Sequence, residues 1–299
     1  MNEMSRLFQK LKEKEILVSD GAWGTFLFEK GLRIGECPEQ WNLINPEAVL
    51  EIAQSYINAG PDIISTNSFG ASRVKLKQYN LEDYTVDINI TAAKISREAA
   101  GNDKLVFGSI GPTGKFLITG EITVDELFHC FKEQSEALLK GGVDAILLET
   151  FYDMEEAKTA IDAIKKSTHL DVICSFTYDR QPDNSYKTLM GNTPSEITNA
   201  LLNTGIEVIG SNCGSGFKNM LDIAKEIRTV NNNIPLLIQA NAGLPRIEGD
   251  KITYNETPEF ISPLIERLIS SGVNIIGGCC GTTPEHIKTI RRIVDGIDK

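Results

Sequence analysis

Short, almost unbroken apolar runs recur along the chain at 16–20, 62–67, 105–110, 145–150, 172–177, 208–213, 236–241 and 274–279, each closing on, or followed at once by, a polar residue or a glycine. They lack the strict alternation of a half-exposed strand, so they read as eight strands of a parallel sheet buried on both faces. Between them lie helical segments with recognisable starts. Thr123 and Glu126 form a capping box ahead of Leu127, Phe131 and Leu138, and Thr193-Pro194-Ser195-Glu196 repeats the signal with proline at the first helical position. Thr257-Pro258 and Thr283-Pro284 open two further helices, while Gly101, Gly141 and Gly272 mark helix ends.

Eight strands alternating with helices over this length predict a single-domain (β/α)8 TIM barrel, α/β in class, over 1–299. A doubly wound sheet is the alternative, with fewer strands and a nucleotide loop. Within the N-terminal segment 1–14, Met4, Leu7, Phe8 and Leu11 share helical spacing and predict an amphipathic helix over 3–13, packed on the barrel. The longest insertion, 31–46, carries Cys37, Pro38 and Trp41 as a loop on the rim where the strands end.

Composition narrows the class. The chain has 299 residues, 41% of them hydrophobic, enough for a large core. No apolar run approaches the roughly 20 residues that span a bilayer, and the first residues are too charged for a signal peptide, so a cytoplasmic location is expected. The net charge of −11 comes without a basic patch, which argues against nucleic acid and anionic membrane as partners. Six cysteines are too few for a disulfide scaffold of this size.

In this fold the strand C-termini build the active site, and here they collect Asp20, Thr66, Asn67, Ser109, Glu149, Thr150, Thr177, Asn212, Cys213, Gln239, Asn241, Cys279 and Cys280. Three thiols converging on one mouth point to zinc with its fourth position open. Neighbours on a strand face opposite ways, so Cys279 and Cys280 can share an ion only if the strand ends there and turns through Gly281. A vicinal disulfide and coincidence are the competing readings. Of the histidines, His129 and His169 end no strand, and His286, just inside a helix start, reads as solvated. Cys130 and Cys174 read as small buried hydrophobes. The stretch 108–115 imitates a phosphate loop, but Phe116 stands where a Ser or Thr should follow the lysine, so no nucleotide site is expected.

Asp20-Gly21-Ala22-Trp23-Gly24-Thr25, Thr66-Asn67-Ser68-Phe69-Gly70-Ala71, Gly108 to Lys115, Leu148-Glu149-Thr150, Gly210-Ser211-Asn212-Cys213-Gly214 and Gly277-Gly278-Cys279-Cys280-Gly281-Thr282-Thr283-Pro284 together resemble the homocysteine S-methyltransferase family. Through Gln239 to Pro245 the chain is most similar to the N-terminal homocysteine-binding module of cobalamin-dependent methionine synthase. The resemblance implies one Zn2+ on Cys213, Cys279 and Cys280, with the homocysteine sulfur taking the open position. It implies Glu149 and Asp20 on the α-ammonium. The α-carboxylate then meets the N–H groups of Gly21 and Ala22, with Thr66 or Asn67.

The activity implied is transfer of a methyl group to homocysteine, giving methionine. Methylcobalamin is the expected donor, carried by a partner corrinoid protein or module, because no Asp-x-His-x-x-Gly motif is present. A standalone enzyme using S-methylmethionine or betaine is the alternative, and the chain is read as a complete subunit or as a fragment. Two other classes compete. A zinc hydrolase lacks a histidine base at the strand ends, and a non-catalytic zinc or thiol sensor leaves Glu149 and Asp20 without a purpose.

Overall fold

The computed structural model of the chain describes residues 4–214, 216–248 and 251–297. Eight parallel strands form its centre: β1 (Leu17–Val18), β2 (Ile63–Ser65), β3 (Leu105–Ile110), β4 (Ala145–Phe151), β5 (Asp171–Phe176), β6 (Val208–Cys213), β7 (Leu236–Ala240) and β8 (Ile275–Gly278). Each falls on one of the eight apolar runs. They pair in the order β1-β8-β7-β6-β5-β4-β3-β2, and a bridge between Ser19 and Ile63 joins the two ends. The Asp62 N–H donates to the Val18 carbonyl at 2.7 Å across the same seam, so the sheet closes into a (β/α)8 barrel.

The runs are apolar throughout because both faces are covered. Leu105 and Phe107, Ala145 and Leu147, with Leu17, Ile63, Ile173, Val208, Leu237 and Ile275, fill the barrel interior as one buried cluster. Their neighbours Val106, Ile146, Leu148, Val172 and Ile209 turn outward under the helices and belong to the larger cluster.

The expected N-terminal helix spans Arg6–Glu13, capped by the Ser5 hydroxyl, which accepts the Phe8 N–H. Residue 3, at the start of the expected 3–13, lies outside the described residues. This helix does more than cover the barrel wall: Leu7 is fully buried and joins the interior cluster, closing the end opposite the cysteines. Ser5 hydrogen-bonds Asp171, and Arg6 pairs with Asp144 at 2.6 Å. Both capping boxes form as the sequence predicts.

Four features differ from the sequence reading. The 31–46 insertion folds into a 3-10 turn, Pro38–Gln40, and a short helix, Trp41–Ile44, rather than an open loop. Two hairpins were not foreseen: Asp179–Arg180 with Tyr186–Lys187 after β5, and Arg246–Glu248 with Lys251–Thr253 after β7. Gly142, not Gly141, is the left-handed helix cap, at φ +96°. His286 is buried rather than solvated. Its Nδ1 accepts the Thr283 N–H at 3.1 Å, and Nε2 faces the Glu256 carbonyl at 2.8 Å. Among the described residues no helix is long and apolar enough to cross a membrane.

Candidate functional site

Strand ends β6 and β8 bring the three cysteines together. Cys213 closes β6 in the left-handed region at φ +61°, a conformation uncommon outside glycine. β8 stops at Gly278, and the chain then turns. The Cys279 N–H donates to Ala240 O at 2.7 Å, while the Thr282 N–H and hydroxyl donate back to Cys279 O at 3.1 and 2.7 Å. Gly281 completes the turn at φ +78°, with the Tyr254 ring lying where a Cβ would stand. The vicinal pair thus leaves strand geometry, and the sulfurs of Cys213, Cys279 and Cys280 all lie within 4.8 Å of one another. No other such cluster of Cys, His, Asp or Glu occurs among the described residues.

These are soft ligands with no histidine or carboxylate among them, a donor set that fits Zn2+ with one position left open. All six cysteines are free thiols, so no vicinal disulfide joins Cys279 to Cys280. Hydrogen bonds from Cys213 and Cys279 hold the Cys280 thiol well below the usual range, and hydrogen bonds to Cys213 and Cys280 push the Cys279 thiol up. Cys130 and Cys174 are buried away from this cluster.

Two carboxylates stand at other strand ends of the same rim. Glu149, near the end of β4, accepts a short hydrogen bond from Ser109. Burial pushes its carboxyl up to about 7; the Ser109 bond opposes this, and the charges of Asp20 and Cys280 add to it. Asp20, just past β1, accepts from the Ser65 N–H at 2.8 Å, the Ser65 hydroxyl at 3.0 Å and Trp23 Nε1 at 2.9 Å. Burial raises it to about 6 against those same bonds.

The Gly21-Ala22 turn passes directly under the cysteine turn. A Cβ on Gly21 would strike Thr282 Oγ1 and the Tyr56 ring, so only glycine lets the two turns approach. The Ala22 N–H donates to Thr282 Oγ1 at 3.2 Å. From below, the buried Tyr56 hydroxyl lies 2.8 Å from Ala22 O and 3.2 Å from Thr282 O. Thr66 and Asn67 sit on the wall with their side chains already engaged. Thr66 Oγ1 accepts the Ser109 N–H at 3.0 Å, and Asn67 Nδ2 donates to Pro38 O at 3.0 Å and Asn42 Oδ1 at 3.1 Å.

Asn241 donates through Nδ2 to Gly214 O at 2.8 Å, and its Oδ1 is buried without a partner. In the phosphate-loop look-alike, the Thr113 N–H and hydroxyl both donate to Glu156 at 2.7 and 2.6 Å, so a carboxylate already fills the place of an anion. Tyr56 and Tyr254 carry no signal in the sequence, and Thr282 enters it only as part of the motif around Cys279 and Cys280. None of them ends a strand, and only the closed fold reveals their positions.

The described fold has solved counterparts. The homocysteine methyltransferase MmuM of Escherichia coli in its metallated form is 22% identical, with a TM-score of 0.78 over 96% of this chain and 99% of that one. Its oxidised form gives 0.79 at 22% identity, over 96% and 98%. The carboxyl transferase domain of Rhizobium etli pyruvate carboxylase follows at 0.55 and 12% identity, over 97% of this chain and 48% of that one. At such identities these likenesses speak for the barrel alone. The family profile for homocysteine S-methyltransferase, however, matches residues 17–294, a span that holds every strand of the barrel and all three clustered cysteines. The chain therefore belongs to the homocysteine S-methyltransferase family, enzymes that methylate the thiol of homocysteine.

Proposed function

We propose that this chain makes methionine by zinc-dependent transfer of a methyl group to homocysteine, with a methyl-corrinoid on a partner protein or domain as donor. The observation that carries the reading is the trio Cys213, Cys279 and Cys280, with sulfurs inside 4.8 Å and near enough to Glu149 for the charge of Cys280 to act on its carboxyl. Bound by these residues, Zn2+ supplies the Lewis acidity that keeps the substrate thiol ionised at neutral pH.

The chain's own groups orient the rest of the amino acid. Glu149 takes the α-ammonium, since its carboxyl, held near 7, becomes a carboxylate when a cation arrives. Asp20 adds negative charge from behind, its oxygens fixed by Ser65 and Trp23. The main-chain N–H of Gly21 meets the α-carboxylate, because the Ala22 N–H is held by Thr282 and the side chains of Thr66 and Asn67 are committed to the wall.

Exposed apolar side chains on loops that follow barrel strands support a macromolecular donor. Ile34, Ile118, Leu189, Leu244 and Ile252 are exposed on four such loops. The test is a homocysteine titration followed at the zinc X-ray absorption edge. Three sulfur neighbours are expected without substrate and four with it. A spectrum indifferent to homocysteine, on protein that holds zinc, would overturn the reading.

A further inference from the structure

Two sulfurs of the trio each have an uncharged hydrogen-bond donor, and the two donors come from different residues. Thr150 stands in the left-handed region at φ +61°, a genuine outlier for a β-branched side chain, where the register of β4 on β5 shifts between Leu148 and Phe151. Asn212, fully buried, holds it there. Its Oδ1 accepts the Thr150 N–H at 2.8 Å and the Ser175 hydroxyl at 2.7 Å, and its Nδ2 donates to Thr150 Oγ1 at 2.7 Å.

Proton counting then decides where the threonine hydroxyl points. Because Thr150 Oγ1 already accepts from Asn212, its own hydrogen is free for an acceptor, and Cys213 Sγ lies 3.8 Å away. Asn212 Nδ2 also reaches Cys279 Sγ at 3.9 Å. The Tyr254 ring lies against Gly281, beside the third cysteine. Backbone strain of the kind seen at Thr150 persists only where surrounding contacts hold it, and here it aims a hydroxyl at a ligand sulfur.

We infer that Thr150 and Asn212 are positioning residues that donate one hydrogen bond each to Cys213 and Cys279, lowering the nucleophilicity of the protein's own thiolates so that alkyl groups are not transferred to them. The inference rests on the zinc reading above. A hydrogen bond to a thiolate draws charge from the sulfur lone pairs, and donors around a metal ligand tune it in the same way.

The test is iodoacetamide alkylation of the zinc-loaded full chain, with the modified cysteine identified by peptide mass spectrometry. Thr150→Val should speed modification of Cys213 roughly tenfold, the scale of one lost bond to a charged group, and leave Cys280 at its wild-type rate. Thr150→Ser, which keeps the hydroxyl, should match the wild type. Unchanged rates, or all three cysteines rising together, would overturn the inference. Should Thr150→Val fail to fold, Thr150→Gly, which suits the positive φ and also lacks the hydroxyl, still decides. Zinc content of the wild type, measured on the same samples, separates the two ideas. A zinc-free wild type sinks the reading, whereas a zinc-loaded one with no site-selective change sinks this inference alone.

Discussion

Cys213 Sγ lies 3.1 Å from Cys279 Sγ, although 66 residues separate them in the chain. Two bare thiolates at that distance would repel strongly, and a divalent cation removes the conflict. One zinc per chain is expected by metal analysis, and each of Cys213→Ser, Cys279→Ser and Cys280→Ser should lose it. Full zinc in the Cys280→Ser protein would remove the second member of the vicinal pair from the ligand set.

Glu149→Gln is expected to keep its zinc and to bind homocysteine about 10- to 100-fold more weakly, the worth of one charge-assisted hydrogen bond. Calorimetry on zinc-loaded protein measures this directly. Unchanged affinity would move the ammonium to another partner.

The same carboxyl shapes stability. Its folded value, raised to about 7 from 4.5, means that the native state holds this proton more tightly than the unfolded chain does. The resulting stabilisation is complete below the unfolded value and is lost as pH rises through the folded one. Glutamine has no proton to lose, so substrate-free Glu149→Gln should become more stable relative to wild type as pH rises from about 4.5 to 7, by at most about 3 kcal/mol. Denaturant melts at several pH values test the slope, and a difference independent of pH would contradict it.

For the donor, zinc-loaded protein with homocysteine should demethylate a methylated corrinoid protein faster than free methylcobalamin, and neither betaine nor S-methylmethionine should support turnover. Methionine formed from S-methylmethionine alone, at about 1 s⁻¹ or faster, would make this a self-sufficient enzyme.

Much of this was written in the chain itself. Each strand announces itself because both faces are buried, which leaves an unbroken apolar run, and Thr123 and Thr193 mark their helices because a cap needs a hydroxyl at one fixed place. The two hairpins gave no such signal: Asp179 and Arg180 are exposed and carry no apolar alternation. His286 misled for a related reason. Its burial depends on a carbonyl 30 residues away, at Glu256, which local sequence cannot reveal. At the mouth, strand-end position singled out the cysteines and Glu149. Asn67 shared that position, yet its amide braces Pro38 and Asn42, a choice made by the packing of the 31–46 insertion.

Leu7, seated from the N-terminal helix against the side chains that fill the barrel, leaves the cysteines approachable from the strand-end rim alone. Everything that reaches the cysteines must pass the same rim and leave by it. A donor too bulky to enter, once seated there, shuts in whatever lies beneath. Turnover with such a donor must therefore be strictly sequential, amino acid first and donor second, with the methylated product unable to depart until the rim is vacated.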